Sequence, residues 1–440
     1  MRGGSFMRIV RTSYYIFFFI IGFILLTCIR INAEQSNIEL ANGLFKAGKF
    51  ERAKKVYKEI LAKKPKNFHI ILKLGEISLF SNHLNEAEKW LKKAIELRPN
   101  ERKPKSLLAE VYYRQNDFQK AASLFRNIGR EVVAKKLESF KDLTPYQIES
   151  KTDITALNFI ITDPLPVVQV RVNGREKVNF IIDTGGSELV LDSEFAKAIG
   201  AQKFGTETGT FAGGKKAPYE QGKIGSLILG DFLVKNVPIH IMNVRQFSKP
   251  IFKNLRMDGI IGTVLLYHFI STLNYPEGKL ILARKTEENL KRLKKEAKEK
   301  KYIIIPFWMA GDHFMFAWGT INKSKPMLFL IDTGLAGGGF TCPKATIEEA
   351  GIKLLEDKAG EGIGGGGRVK VIPFIVEELS LGEAKGKNIR GLFVPGRGKK
   401  SPLEKIFGFH IGGIISHAFF RNYALTFDFT EMKLYLSRKK

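Results

Sequence analysis

Apolar and polar positions follow two different rhythms along this chain. Between residues 34 and 140 the rhythm is helical and returns with a period of 34: Ala53, Ala87 and Ala121 stand 34 apart, as do Pro65 and Pro99. Four residues after each alanine comes a bulky side chain, Tyr57, Leu91 or Phe125. Twelve residues before each comes a small one, Ala41, Gly75 or Ala109, itself preceded by Leu40, Leu74 or Leu108. Small residues at fixed places let antiparallel helices approach closely, and the large ones fill the gaps between pairs. The period therefore predicts three stacked helix pairs. Prolines at matching phases disfavour a continuous coiled coil. The third unit lacks its proline and runs on through Lys135-Lys136, as a capping helix would.

The second rhythm is that of strands. Val168, Val170 and Val172 alternate with polar residues up to Asn173-Gly174, which predicts a hairpin with a two-residue turn. Its return strand, Val178 to Ile182, runs into Asp183. The same order recurs where Phe314 to Ile321 is followed by Met327 to Ile331 and then Asp332. Both returns end in one tetrad, Ile182-Asp183-Thr184-Gly185 and Ile331-Asp332-Thr333-Gly334. Each tetrad is followed by a Gly-rich stretch (Gly209 to Gly214; Gly362 to Gly367), a Leu-Gly pair (Leu229-Gly230; Leu381-Gly382) and a Gly-Ile-Ile triplet (Gly259-Ile260-Ile261; Gly413-Ile414-Ile415). From aspartate to the Leu-Gly glycine is 47 residues in one copy and 50 in the other, which reads as one unit duplicated. The lysine-rich stretch from Lys285 to Lys301 joins the copies and is expected to be a helix with a solvated face. Pro145, Pro164 and Pro166 mark the boundary between the two rhythms.

A lone Asp-Thr-Gly is an ordinary turn. Two copies in equivalent contexts suggest a chemistry. If the halves pack about a pseudo-twofold axis, the two carboxyls face each other and hold a single shared proton, because like charges that close do not both ionise. One aspartate is then a base toward water and the other an acid toward a carbonyl oxygen. Asp183-Thr184-Gly185-Gly186-Ser187 also fits, loosely, the phosphate loop of actin-like kinases. That reading leaves the repeated downstream landmarks unexplained.

These residues resemble the aspartic proteases of the retropepsin-like type, in a single-chain, two-lobed form, over roughly Leu165 to Leu436. The resemblance implies that Asp183 and Asp332 are the catalytic pair. It implies that Thr184 and Thr333 brace the two turns across the axis, with Gly185 and Gly334 completing them. It also implies that the Gly-rich stretches are flaps closing over a peptide, with Gly213, Gly214, Gly364 and Gly365 as candidate positions, and that the pH optimum is acidic. There are two departures. The second motif continues Gly334-Leu335-Ala336 without a small hydroxyl residue, while the first carries Ser187 one place late; Ser416 also stands where the first copy has Gly262. Weakened hydrogen bonding around Asp332 is the expected consequence. The 34-residue units resemble tetratricopeptide repeats, which implies a concave face recruiting a protein partner, or else a rigid spacer. The fold expected is an all-α solenoid followed by a mostly β, two-lobed acid-protease-like domain.

Composition adds limits. The chain has 440 residues, and 71 Lys plus Arg against 44 Asp plus Glu give a net charge of +27. An anionic envelope surface accounts for such a surplus as well as nucleic acid does, and no nucleic-acid-binding signature is present. Cys28 and Cys342 are the only cysteines and the seven histidines are scattered, so no zinc site, metal or cofactor is expected. Arg2, Arg8 and Arg11 precede an apolar run from Tyr14 to Ile29, which predicts a signal peptide or signal anchor and export. The expected division is 1–33 targeting segment, 34–140 repeats, 141–165 linker, 166–284 first lobe, 285–301 inter-lobe helix and 302–440 second lobe. Repeats and lobes each have their own apparent core, so a chain beginning near Thr155 is expected to fold alone. The function expected is an exported aspartic endopeptidase; the alternative is a non-proteolytic envelope binding or assembly protein on a degenerate protease fold.

Overall fold

The computed structural model describes residues 35–211, 214–364, 366–396 and 398–438; the expected targeting segment lies outside them. Seven helices come first among these residues: α1 over 35–46, α2 Phe50–Lys63, α3 Phe68–Phe80, α4 Leu84–Leu97, α5 Arg102–Arg114, α6 Phe118–Asn127 and α7 Glu131–Glu138. Ala53, Ala87 and Ala121 are all fully buried. A Cβ at Gly75 would come within 2.8 Å of Leu91 Cδ2, so the crossing of α3 and α4 needs a glycine. Pro65 and Pro99 fall in the turns between pairs. The turn inside each pair shows the period again. Gly48, Asn82 and Asn116, spaced by 34, all have positive φ (73°, 56° and 60°), a region that glycine and asparagine tolerate best.

The solenoid does not stand apart. Helix α3 is buried on all but its His69–Lys73 side, because it packs between α2, α4 and α5 and its end meets the strand Ile303–Ala310. Phe45, Phe50 and Phe80 gather around Phe409 of the second lobe, with ring centroids 5.1 Å apart for Phe50–Phe409 and 5.9 Å for Phe80–Phe409. Trp308 caps Phe50 edge-on at 5.5 Å. The Arg114 guanidinium donates to the carbonyls of Met309 (3.0 Å) and Gly311 (2.6 Å), and Asn82 donates to Phe429 O at 2.9 Å. These contacts gather at the turns inside the helix pairs, so that edge of the solenoid is occupied by the chain's own lobes. One apolar core runs from Ala41 to Leu436 without a break at the expected boundary. Burying a phenylalanine is worth about 1.5–3 kcal/mol. Phe45, Phe50, Phe80 and Phe409 together therefore contribute about 6–12 kcal/mol gross, comparable to the net stability of a whole domain.

Among the described residues the strands form two sheets, of eight and thirteen strands. The smaller sheet is the first lobe. The larger holds the second lobe and continues into a six-stranded platform beneath both. Ile154–Asn158, Lys279–Arg284 and Phe269–Asn274 supply three platform strands, and Tyr423–Asp428, Lys433–Arg438 and Ile303–Ala310 supply the other three. The two triplets meet where Thr272 pairs with Thr426, their hydroxyls 2.7 Å apart, and the pseudo-twofold axis passes there. The Lys285–Lys301 stretch contains the expected helix, Glu287–Glu299, begun by Thr286 accepting from Asn289 N (3.2 Å).

Two expectations change. The segment 141–165 is woven into the sheets: Gln147–Glu149 pairs with Leu233–Lys235, and Ile154–Asn158 forms an edge of the platform. Tyr146 in that segment is buried and stacks on His268 at 4.0 Å. The first hairpin does turn at Asn173-Gly174, both with positive φ, and Arg175 N bonds Val172 O at 3.0 Å. Its register, Arg171 opposite Lys177, leaves one extra residue on the return strand, a bulge rather than a plain two-residue loop.

Candidate active site

The two tetrads meet at the axis by the same construction on each side. The strand Lys177–Ile182 runs parallel to Gly259–Ile261, and Met327–Ile331 runs parallel to Gly413–Ile415. The strand ends are pinned alike: Asp183 N donates to Ile261 O and Asp332 N to Ile415 O, both at 3.0 Å. The Gly-Ile-Ile triplets are therefore the floor on which the aspartates rest. Thr184 N donates to Thr333 Oγ1 and Thr333 N to Thr184 Oγ1, both at 3.0 Å and fully buried. This reciprocal brace locks the turns together. Asp183 Oδ1 accepts from Gly185 N and Asp332 Oδ1 from Gly334 N, each at 2.8 Å.

The glycines are required by the opposite aspartate. A Cβ at Gly185 would lie 2.4 Å from the Asp332 carboxyl carbon, and one at Gly334 would lie 2.1 Å from Asp183 Oδ1. Such proximity decides the electrostatics. Burial raises Asp183 well above the ordinary carboxylate range, and the charge of Asp332 and a hydrogen bond to it raise it further. Burial raises Asp332 too, but Gly334 N–H, the hydrogen bond with Asp183 and nearby His313 draw it back. The pair holds a proton beyond the pH at which a free aspartate loses it.

A stability consequence follows from the sign of these shifts. A raised native value means that the folded state binds the proton more tightly. The associated stability is full below the ordinary aspartate range and is lost as pH rises through the raised value. Asp183→Asn removes that loss. Its Tm minus that of wild type, from thermal melts at pH 4 and pH 7.5, is expected to be larger at pH 7.5; an equal difference at both would contradict the shared-proton description.

The first motif's displaced hydroxyl has a different partner than the dyad. Ser187 Oγ donates to Asp312 Oδ2 at 2.5 Å, in the loop that opens the second lobe's hairpin, and Asp312 also contacts His313 Nδ1 at 2.5 Å. Burial would raise Asp312, yet His313 and the Ser187 hydroxyl outweigh it and hold the carboxyl below its usual range. In the second motif Ser416, fully buried, accepts from Leu335 N at 3.1 Å. The hydroxyl missing after Gly334 is thus supplied from the neighbouring strand, and the Gly334 bond to Asp332 is kept. In the first lobe that place needs Gly262, because a Cβ there would sit 2.2 Å from Ser187 O.

Sequence reasoning passes over Glu188. Its buried carboxylate accepts twice from Lys136 Nζ (2.7 and 2.7 Å) and once from Tyr113 OH (2.6 Å), both on solenoid helices. Burial alone would raise Glu188, but Lys136 and His240 hold it below its usual range, while burial lowers Lys136. Breaking a buried pair from one side costs about 3–5 kcal/mol. Lys136→Met should lose about that much in urea denaturation, with Lys136→Met/Glu188→Leu recovering most of it. A double variant that loses the sum of the Lys136→Met and Glu188→Leu losses would show that the pair is not coupled.

Gly-rich hairpins arch from both lobes. In the first, Gln202–Thr210 pairs with Lys216–Leu229, and Gly214 in its tip has φ 72°; Gly213 lies outside the described residues. In the second, Gly364 pairs with Gly367 at the last rung, and Gly365 lies outside the described residues. The tips touch: Lys215 Nζ donates to Arg368 O at 2.5 Å, and a Cβ at Gly366 would come within 2.5 Å of Lys215 Cβ. Phe211, Tyr219 and Ala336, which follows Gly334-Leu335, pack on one apolar patch that includes Val190, Ile181 and Ile260. Among the described residues no group of three His, Cys, Asp or Glu side chains could hold a metal ion.

Comparison with known families agrees with this architecture. A family model described as aspartyl protease matches residues 168–265 and again 317–410, each span containing one aspartate of the pair. A tetratricopeptide-repeat model matches residues 44–111. No curated protein matches the chain.

Proposed function

From a chain that carries two copies of an aspartyl protease domain behind tetratricopeptide repeats, we propose an endopeptidase that hydrolyses peptide bonds with water activated between Asp183 and Asp332. The observation that carries the reading is the cross-braced pair itself, with each turn glycine set against the opposite carboxyl. In the attack step the Asp332 carboxylate takes a proton from water as the oxygen adds to the carbonyl carbon. The protonated Asp183 carboxyl gives its proton to the carbonyl oxygen, forming a neutral gem-diol. On collapse, that hydroxyl returns its proton to Asp183, Asp332 protonates the departing amine, and the C–N bond breaks. Neither a covalent intermediate nor a net proton change is required.

The apolar patch around Phe211, Tyr219 and Ala336 supports a peptide occupant, since side chains alternating along an extended peptide need apolar pockets beside the polar centre. Ser416's bond to Leu335 N keeps the second turn supported, which favours hydrolysis over a purely binding role. Export remains part of the proposal on sequence grounds, from the arginines and apolar run before residue 34. Among the described residues no helix is long and apolar enough to cross a membrane.

The proposal is tested by incubating purified full-length protein with a mixed peptide library from pH 3 to pH 8 and identifying the cut bonds. Internal cleavage with a bell-shaped rate profile is expected. A rate climbing to a plateau above neutrality would point to a hydroxide or serine mechanism instead.

A further inference from the structure

We propose that Arg130, at the start of the solenoid's last helix, is a positioning residue that anchors the first lobe's flap over the dyad. This rests on the proteolytic reading above. The flap strand Gln202–Thr210 passes directly against α7. Arg130 makes a two-pronged contact with Glu207 in that strand, Nε to Oε1 at 3.3 Å and an Nη to Oε2 at 2.6 Å. Glu207 also accepts from Tyr219 OH at 3.0 Å and Gln221 Nε2 at 2.9 Å, both on the flap's other strand. One carboxylate therefore ties both strands of the flap to a helix outside the protease lobes.

The backbone is shaped to the same contact. The flap register shifts between Lys203 and Gly205, and Gly205 has a φ of +137°. A Cβ there would lie 3.1 Å from Val132, two residues along α7 from the arginine, so the irregularity sits where the helix presses in. At the flap's foot, Lys223 Nζ donates to Ser139 O at 2.8 Å, just past the end of α7. Farther out, the tip carries Phe211 against the apolar patch and Lys215 against the opposing flap. The hairpin is thus held by the solenoid at its foot, through Lys223, and beyond its middle, through Glu207 opposite Tyr219, and at its tip by the other lobe. Freeing Glu207 changes where Phe211 and Tyr219 stand relative to a bound peptide, while the dyad, braced by Thr184 and Thr333, is untouched. The contact belongs to substrate grip rather than to bond making.

Arg130 is part-exposed, its side chain keeping 41% of its accessible surface, so Arg130→Ala is expected to fold. Hydrogen exchange of the 202–210 amides in the full-length, unliganded protein should speed up in Arg130→Ala. For a peptide the wild type cleaves, KM should rise about five- to tenfold, the low end for a charge-assisted bond because the site is partly solvated. kcat should stay within about threefold, a split that separates positioning from loss of active protein. Arg130→Lys, which keeps one prong, should recover part of both effects. Unchanged exchange with unchanged KM would overturn the inference, as would a fall in kcat alone that tracks the folded fraction. Wild type that cleaves no peptide would fail the proteolytic reading instead, and the exchange measurement would still decide whether Arg130 holds the flap.

Discussion

Asp183→Asn and Asp332→Asn are each expected to abolish peptide hydrolysis while leaving the fold intact. Losing a positioned acid–base group costs about 10²–10⁴ in rate. Here one proton serves two oxygens that each abut the partner turn, so neither carboxyl can take over both roles. An amide at 183 still donates a hydrogen bond but cannot deliver a proton to the carbonyl oxygen. An amide at 332 cannot take one from water. The Thr184–Thr333 brace survives both changes, because backbone amides and threonine hydroxyls form it. The measurement is kcat/KM on one peptide with circular dichroism on the same samples. Turnover by either variant within about tenfold of wild type would sink the two-turn dyad.

Removing the solenoid should be as severe, although the sequence leads one to expect the opposite. A chain beginning at Thr155 starts inside the platform strand Ile154–Asn158 and lacks Tyr146 and the strand Gln147–Glu149. It exposes Phe409 and Trp308, which rest on Phe45, Phe50 and Phe80, and it strands the Glu188 carboxylate without Lys136. Exposing those two rings costs about 3–6 kcal/mol gross, and an unpaired buried carboxylate adds about 3–5 kcal/mol. The total, about 6–11 kcal/mol, is comparable to the 5–15 kcal/mol that holds a typical domain folded. The truncated chain should lack a cooperative thermal transition and bind a hydrophobic dye. A sharp transition within a few degrees of the full-length Tm would show that the lobes have a separate core after all.

What the sequence made legible is what is local or periodic. The 34-residue spacing located the helix pairs because a buried alanine must recur at each crossing. The two tetrads and the Gly-Ile-Ile triplets stood out as repeats because the parallel strands they form and a turn without Cβ leave few residue choices. The contacts that join solenoid to lobes left no such trace. Lys136–Glu188, Arg130–Glu207 and Arg114 with Gly311 link residues 52, 77 and 197 apart. Each partner alone reads as an ordinary surface charge. One signal was available. Phe68–Phe80 is apolar on all but the His69–Lys73–Glu76 stripe, a wider apolar face than one neighbouring helix covers. The period in Gly48, Asn82 and Asn116 was also present, in turn residues rather than core residues.

The central claim is that Asp183 and Asp332 act together on one tetrahedral centre. It is tested most directly by calorimetric titration of a peptide analogue that carries a secondary hydroxyl in place of the scissile carbonyl, alongside the same peptide without the hydroxyl. The full-length protein should bind the hydroxyl form at least about a hundredfold more tightly, as expected of a transition-state analogue. That preference should vanish in both Asp183→Asn and Asp332→Asn. Equal affinity of the wild type for the two peptides would contradict the account.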